Sequence, residues 1–236
     1  MNEMKILDDK QQSFFHETEE PLCYLTESQM AELKESCRIV VKQRGEVVYR
    51  EGDAADCCFM IVSGKVKIFK GGVNGREQIV KMGKMHDVFG YRAALAEEPH
   101  SESAAALENT VLLTLSQSYM QKITHENPEV AAFVIRSLAR ELSFSRRRSV
   151  SLSQKQIRGR LAESLLVLRD KYGYVGSTKT LNVQMTREDL ANLSNMTTSN
   201  AIRTLANFAQ ENLVEVEGRD ITVCDEAKLE RISRMG

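Results

Sequence analysis

The sequence predicts an α+β protein of two domains: an N-terminal antiparallel β-roll, jelly-roll-like, then a long helix, then a C-terminal winged helix-turn-helix. Three observations predict it. Short apolar or alternating runs separated by glycines fill Cys37 to Leu115; a four-residue apolar period starts after Asn127-Pro128; two capped helical segments and a tight hairpin lie between Thr186 and Val223. The expected boundaries are 1–118 for an N-terminal tail and the β-roll, 119–152 for the long helix and hinge, and 153–236 for the winged domain. A chain of 236 residues with 42% apolar residues can bury cores of this kind.

The strand candidates are Arg38 to Lys42, Val47 to Arg50, Cys58 to Val62, Lys65 to Phe69, Gln78 to Lys81 and Val111 to Leu115. Gly45, Gly52, Gly64, Gly75, Gly83 and Gly90 supply the turns between them. So many short strands imply a roll or sandwich.

Asn127 is an N-cap, Pro128 fits the first helical position and Glu129 suits the first turn. Val130, Val134, Leu138 and Leu142 then recur every four residues and form the expected dimer seam, although the β-domain alone could also cover the stripe. Arg146-Arg147-Arg148 reads either as a solvated C-terminal turn or as a phosphate-facing patch.

Beyond Ser153, Ile157, Leu161, Leu165, Leu166 and Leu168 give an amphipathic helix, Tyr172 to Thr180 a loop, and Leu181 to Val183 a short strand. Thr186-Arg187-Glu188-Asp189 is a capping-box variant, with Leu190 and Leu193 facing inward. Asn195 supplies a left-handed turn residue. Thr197, Thr198 and Ser199 can cap a second helix, whose expected buried stripe is Ile202, Leu205 and Phe208. Its expected exposed face is Thr198, Ser199, Asn200, Arg203 and Asn207. Arg suits guanine, Asn suits adenine, and hydroxyls suit several base edges. Glu217-Gly218-Arg219-Asp220 closes a hairpin whose Arg219 can reach a phosphate, and Thr186, Arg187 and Thr197 complete the candidate DNA-binding set.

A net charge of −1 excludes a globally basic nucleic-acid binder, so DNA contact must come from a local patch. No run approaches the roughly 18 apolar residues of a membrane helix and no secretory signal is evident, which predicts a cytoplasmic protein with no membrane partner. Cys23, Cys37, Cys57, Cys58 and Cys224 are scattered, predicting reduced, mostly buried thiols. On a strand, Cys57 and Cys58 point to opposite faces. His86 and His100 are lone histidines with structural roles expected, so neither haem nor an iron-sulfur cluster nor another metal is expected. No nucleophile-base pair is legible, and Gly71-Gly72 with Gly75 lacks the strand-to-helix setting of a nucleotide loop; the chain is not expected to be an enzyme.

Gly52-Asp53 with Ala55-Asp56, Met60 to Val66, Asn74-Gly75-Arg76-Glu77, Asp87-Val88-Phe89-Gly90, Asn127-Pro128 and Thr186 to Ala191 together resemble the Crp/Fnr family of bacterial transcription regulators, from about residue 25 onward. The resemblance implies a cyclic-nucleotide-binding-type β-roll, a dimer helix, and a winged helix-turn-helix on palindromic double-stranded DNA. The partners it carries are DNA, a second copy of the chain, a small effector and RNA polymerase. The corresponding effector pocket is Gly90, Tyr91, Arg92, Glu102, Ser103, Ala104, Ser145 and Arg146. Members that bind cyclic AMP have Glu where Tyr91 stands, for the ribose, and Arg where Glu102 stands, for the cyclic phosphate. A carboxylate there repels the phosphate, so no cyclic AMP is expected in the usual mode. Members that read TGTGA carry Arg and Glu where Thr198 and Ser199 stand; Arg203 alone is shared, which predicts a different half-site. The rival reading is a small-molecule-binding or protein-interaction module that no longer binds DNA.

Overall fold

The computed structural model describes residues 21–72 and 75–236; the N-terminal tail and Asn74 of the Asn74-Gly75-Arg76-Glu77 motif lie outside them. Two antiparallel four-stranded sheets carry the N-terminal part. The first has the order β1 (Ile39–Lys42), β8 (Thr110–Ser116), β3 (Cys57–Ser63), β6 (Val88–Phe89); the second has β2 (Val47–Tyr49), β7 (Ser103–Ala106), β4 (Val66–Gly71), β5 (Glu77–Gly83). Strand β8 is central to the first sheet, with Ile39 opposite Leu113 on one side and Phe59 opposite Thr114 on the other. Pairing between strands far apart in sequence makes this the expected β-roll.

Gly64 turns β3 into β4 with φ +92°, and a Cβ there would lie 2.7 Å from the backbone oxygen of Asn109. Glycine is required at this point both for its backbone conformation and for the approach of the 108–110 segment. Thr110 completes the contact, its hydroxyl accepting from the Lys65 amide at 3.3 Å and donating to the Glu108 carbonyl at 2.9 Å.

The chain divides into two compact units: the described residues up to Ile68 with Lys81–Leu142, and Phe69–Val80 with Ser143–Gly236. In the first, Cys58, Met60 and Val62 of β3 join Leu113 and Leu115 of β8 in a core. Helix α1 (Glu27–Ser36) adds Leu33 to it, and α3 (Gln117–Glu126) adds Tyr119, Met120 and Ile123. The short α2 (Tyr91–Ala96) contributes Tyr91. Cys58 is fully buried, whereas Cys57, the first residue of β3, is half-buried; burial runs unbroken from Cys58 to Val62 rather than alternating. The expectation of mostly buried thiols fails elsewhere. Cys23 and Cys224 are exposed and Cys37 is half-buried; Cys37 and Cys224 each lie just beyond an element's end.

Helix α4 (Pro128–Gln154) begins on the predicted cap: the Asn127 side-chain oxygen accepts from the amides of Glu129 at 3.0 Å and Val130 at 3.3 Å. The Asn127 side-chain amide also donates to the Tyr24 carbonyl and to Gln29 Oε1, both at 2.8 Å, fastening the helix start to the N-terminal segment. The expected dimer seam divides in two. Val130 and Val134 belong to the β-roll core, buried by their own chain, because the first turns of α4 pack against α3 and β3 residues. They offer no surface to a partner. Leu138 and Leu142 are 37% and 53% exposed, joined by Ile135 at 66%.

In the second unit, α5 (Ile157–Tyr172) buries Leu161, Leu165 and Leu168. A C-terminal helix, α8 (Glu226–Met235), packs on it, fastened by Arg169, which pairs with Glu226 and, at 3.0 Å, with Glu230. Between them stand α6 (Arg187–Leu193), α7 (Thr198–Gln210) and the hairpin β9 (Val214–Glu217) and β10 (Asp220–Val223). The predicted strand at Leu181 forms only isolated bridges, Tyr174 to Leu181 and Thr180 to Thr222.

Candidate nucleic-acid interface

Each joint of the helix-turn-helix has a local cause. The Thr186 hydroxyl accepts from the Asp189 amide at 2.9 Å and donates to the Asp189 carboxylate at 2.6 Å, so α6 starts on a fixed cap. The turn runs through Asn195 at φ +49°, closed by the Met196 amide on the Ala191 carbonyl at 3.0 Å. Thr197 then caps α7, its hydroxyl accepting from the Asn200 amide at 3.2 Å. Leu190 and Leu193 face inward as predicted.

Helix α7 buries Ala201, Thr204, Leu205 and Phe208. Ile202, expected in that stripe, is instead 50% exposed. Residues 201, 204, 205 and 208 follow the i, i+3, i+4, i+7 spacing of one helix face, and Ile202 falls outside it. The outer surface therefore includes Thr198, Ser199, Ile202, Arg203, Ala206 and Asn207, with Asn200 half-buried beside them. Arg203 donates to the Asn200 side-chain oxygen at 2.6 Å, which aims the guanidinium while leaving most of its N–H groups for another acceptor.

Glu217 lies opposite Asp220, so β9 and β10 are joined by the two-residue loop Gly218-Arg219. The positive φ of +58° falls on Gly218, the first loop position. Arg219 is exposed at the tip. Three of the predicted contact residues have structural tasks, Thr197 among them as the cap of α7. Thr186 is committed to its cap, and Arg187 donates to the Gly218 carbonyl at 2.8 Å, tying the first helix to the wing.

Six of the residues assigned to an effector pocket lie in the first unit. Tyr91 has its ring in the β-roll core and donates from its hydroxyl to Glu141 of α4 at 3.0 Å. Lys81 pairs with the same carboxylate. Burial first, then the Glu141 charge, push the Tyr91 pKa up, so the phenol stays a donor. Gly90 turns at φ +81° against His100, which stacks on Tyr49 with ring centres 3.7 Å apart. Phe59 and Phe89 extend this aromatic stack. Ser103 is buried and accepts from the Glu51 amide at 2.9 Å, Ala104 is buried, Arg92 donates to the Ser101 hydroxyl, and Glu102 is half-buried. Ser145 and Arg146 belong to the second unit and are exposed. His86 turns the chain at φ +70°. Among the described residues no group of three or more His, Cys, Asp or Glu is placed to hold a metal ion, and no helix is long and apolar enough to cross a membrane.

Residues 39–127 match the cyclic nucleotide-binding domain family, and residues 159–232 match the Crp-like helix-turn-helix domain family. The chain belongs to the Crp/Fnr family. It is 27% identical over 208 residues to a CRP-like cAMP-activated global transcriptional regulator of Mycobacterium tuberculosis, covering 88% of this chain and 93% of that one. It is 28% identical over 188 residues to electron transport regulator A of Shewanella oneidensis, covering 79% and 75%. The structure of FixK2 from Bradyrhizobium japonicum has the same fold, with TM-score 0.74 at 23% identity over 83% of this chain and 96% of that one. Crp/Fnr proteins are DNA-binding transcription regulators.

On this Crp/Fnr frame, the sequence marks the cap, the turn and the exposure of Arg203, but neither the exposure of Ile202 nor the part of Glu141. The signal for Ile202 was the helical phase: Ala201 and Thr204 are small, yet they complete the inward stripe. No local pattern marks Glu141, whose partners Tyr91 and Lys81 lie 50 and 60 residues away.

Proposed function

We propose that this Crp/Fnr protein acts as a homodimer that reads a palindromic DNA site through α7, with Arg203 as its guanine contact and Arg219 on the phosphates. The observation that carries the reading is the outer face of α7. It presents hydroxyl, amide and guanidinium groups on a helix whose cap, turn and core stripe are otherwise satisfied, and such groups pair with base edges in the major groove. The dimer reading draws support from Ile135, Leu138 and Leu142, exposed at three- and four-residue spacing on α4. RNA polymerase is a further partner of this reading.

The β-roll residues do not fit cyclic AMP in the usual mode. Tyr91 stands in place of the ribose-binding carboxylate and is already committed to Glu141, while Glu102 brings negative charge to the phosphate position. Any effector that shifts the protein between states with different DNA affinity therefore differs in chemistry from cyclic AMP.

Selection of bound DNA from a random pool tests the reading, repeated with and without cell extract. The expected product is an inverted repeat with half-sites centred about 10 base pairs apart. No enrichment under either condition would favour a module that works without DNA. Leu142→Glu should give a monomer by sedimentation and abolish selection of the repeat, whereas a dimeric Leu142→Glu protein would refute the seam.

A further inference from the structure

A cavity of about 460 Å³ lies within the second unit, walled by the last turns of α4, by α5 and by the end of α6. Its volume is that of a small-molecule site. Four cations line it, Arg147, Arg148, Arg160 and Lys171, against two carboxylates, Glu163 and Asp170. Both carboxylates have other cationic partners. Asp170 accepts from Arg169 at 2.8 Å; Glu163 pairs with Lys155 at 3.0 Å and also accepts from the Ser151 hydroxyl.

The arginines are spent on neutral acceptors. Arg148 donates to the Leu193 carbonyl at 2.5 Å and Arg160 to the Leu152 carbonyl at 3.5 Å. Burial lowers the Arg148 pKa, and the opposing influence of Glu163 does not restore it. The Nε groups of Arg148 and Arg160, and the hydroxyl of Ser194 at the cavity wall, are buried without a hydrogen-bond partner among the described residues. Buried polar groups in native proteins are nearly always paired, so three at one cavity need an explanation. Ordered water would satisfy the N–H groups and leave the cations of the wall in excess over Glu163 and Asp170. A multiply charged anion satisfies both, because guanidinium matches phosphate oxygens bidentately.

We propose that this cavity is a binding site for a small phosphate-bearing anion, held by Arg148 and Arg160 with Arg147 at its edge. Arg148, the last of the three consecutive arginines, is turned in from the solvent that its two neighbours face. Leu193 and Ser194 at the wall belong to the end of α6 and the turn after it, so an occupant would touch the first element of the helix-turn-helix.

Calorimetric titration of the full chain with inorganic pyrophosphate tests the site. The expected result is saturable binding, weakened about tenfold to a hundredfold by Arg148→Ala or Arg160→Ala and unchanged by Arg234→Ala, whose side chain pairs with Glu230 on α8. Should an alanine variant fail to fold, Arg160→Lys keeps the charge and removes the fork, and is expected to weaken binding severalfold. No saturable binding by the unmodified chain, or unchanged affinity in Arg160→Lys and the folded alanine variants, overturns the proposal. It is equally overturned if these variants alter only the sedimentation of the protein or only the salt dependence of its DNA affinity. The first outcome would assign the arginines to a contact between copies, the second to the DNA backbone.

Discussion

Thr198 and Ser199 on α7 and Tyr91 in the β-roll, positions where the sequence is expected to differ from other Crp/Fnr members, sit in physically different settings. On α7 the altered residues, Thr198 and Ser199, stand exposed with Ile202, while the cap and core stripe come from Thr197, Ala201, Leu205 and Phe208. In the β-roll one altered residue, Tyr91, is built into the core. The Tyr91 ring is core and its hydroxyl is bound to Glu141, while Glu102 is half-buried. A substitution at Thr198 or Ser199 leaves the scaffold alone; one at Tyr91 changes it.

The sharpest test of that contrast is Arg203→Ala. It should weaken binding to the selected site by about 1–3 kcal/mol, measured by fluorescence anisotropy, and shift thermal stability hardly at all. An equal loss of stability would erase the distinction.

A smaller and opposite pattern is expected for Tyr91→Phe. Loss of the hydroxyl leaves Glu141 with Lys81, so urea denaturation should show a fall of about 1 kcal/mol with half-site preference retained. A stability unchanged from the parent would mean that the Tyr91 to Glu141 bond does not hold helix to roll.

The smallest effect concerns His100. Burial holds its pKa below the usual histidine value, Arg92 adding to the shift and Asp53 opposing it. Below about pH 6.5 the unfolded chain takes up a proton that the folded chain refuses, so this contribution is complete above that pH and is lost as pH falls. Between pH 7 and 6 the expected loss is less than about 1 kcal/mol, and His100→Gln should flatten it. A slope that survives the substitution would move the titration elsewhere.

What was legible in the sequence follows the same division. Caps and turns are local chemistry, so Asn127, Thr186, Asn195 and Thr197 all take the predicted roles. Strand β7 escaped because Ser103-Ala104-Ala105-Ala106 has little intrinsic strand preference; burial of all four residues between neighbouring elements imposes the conformation. Helix α8 escaped for a related reason. Its cap on Asp225 is recognisable, but Leu229 is its one fully buried large apolar residue, too little to show a period. The effector assignments were least legible because Tyr91, Glu141 and Lys81 meet only through tertiary packing.

Helix α4 has one further consequence. A rigid rod that gives Val130 and Val134 to the β-roll core and Ile135, Leu138 and Leu142 to the outside has its compass bearing set by the inner pair. Each residue advances about 100° around the axis, so the outer side chains cannot turn unless the inner ones roll with them. The β-roll core is in this sense a keyway and α4 its shaft.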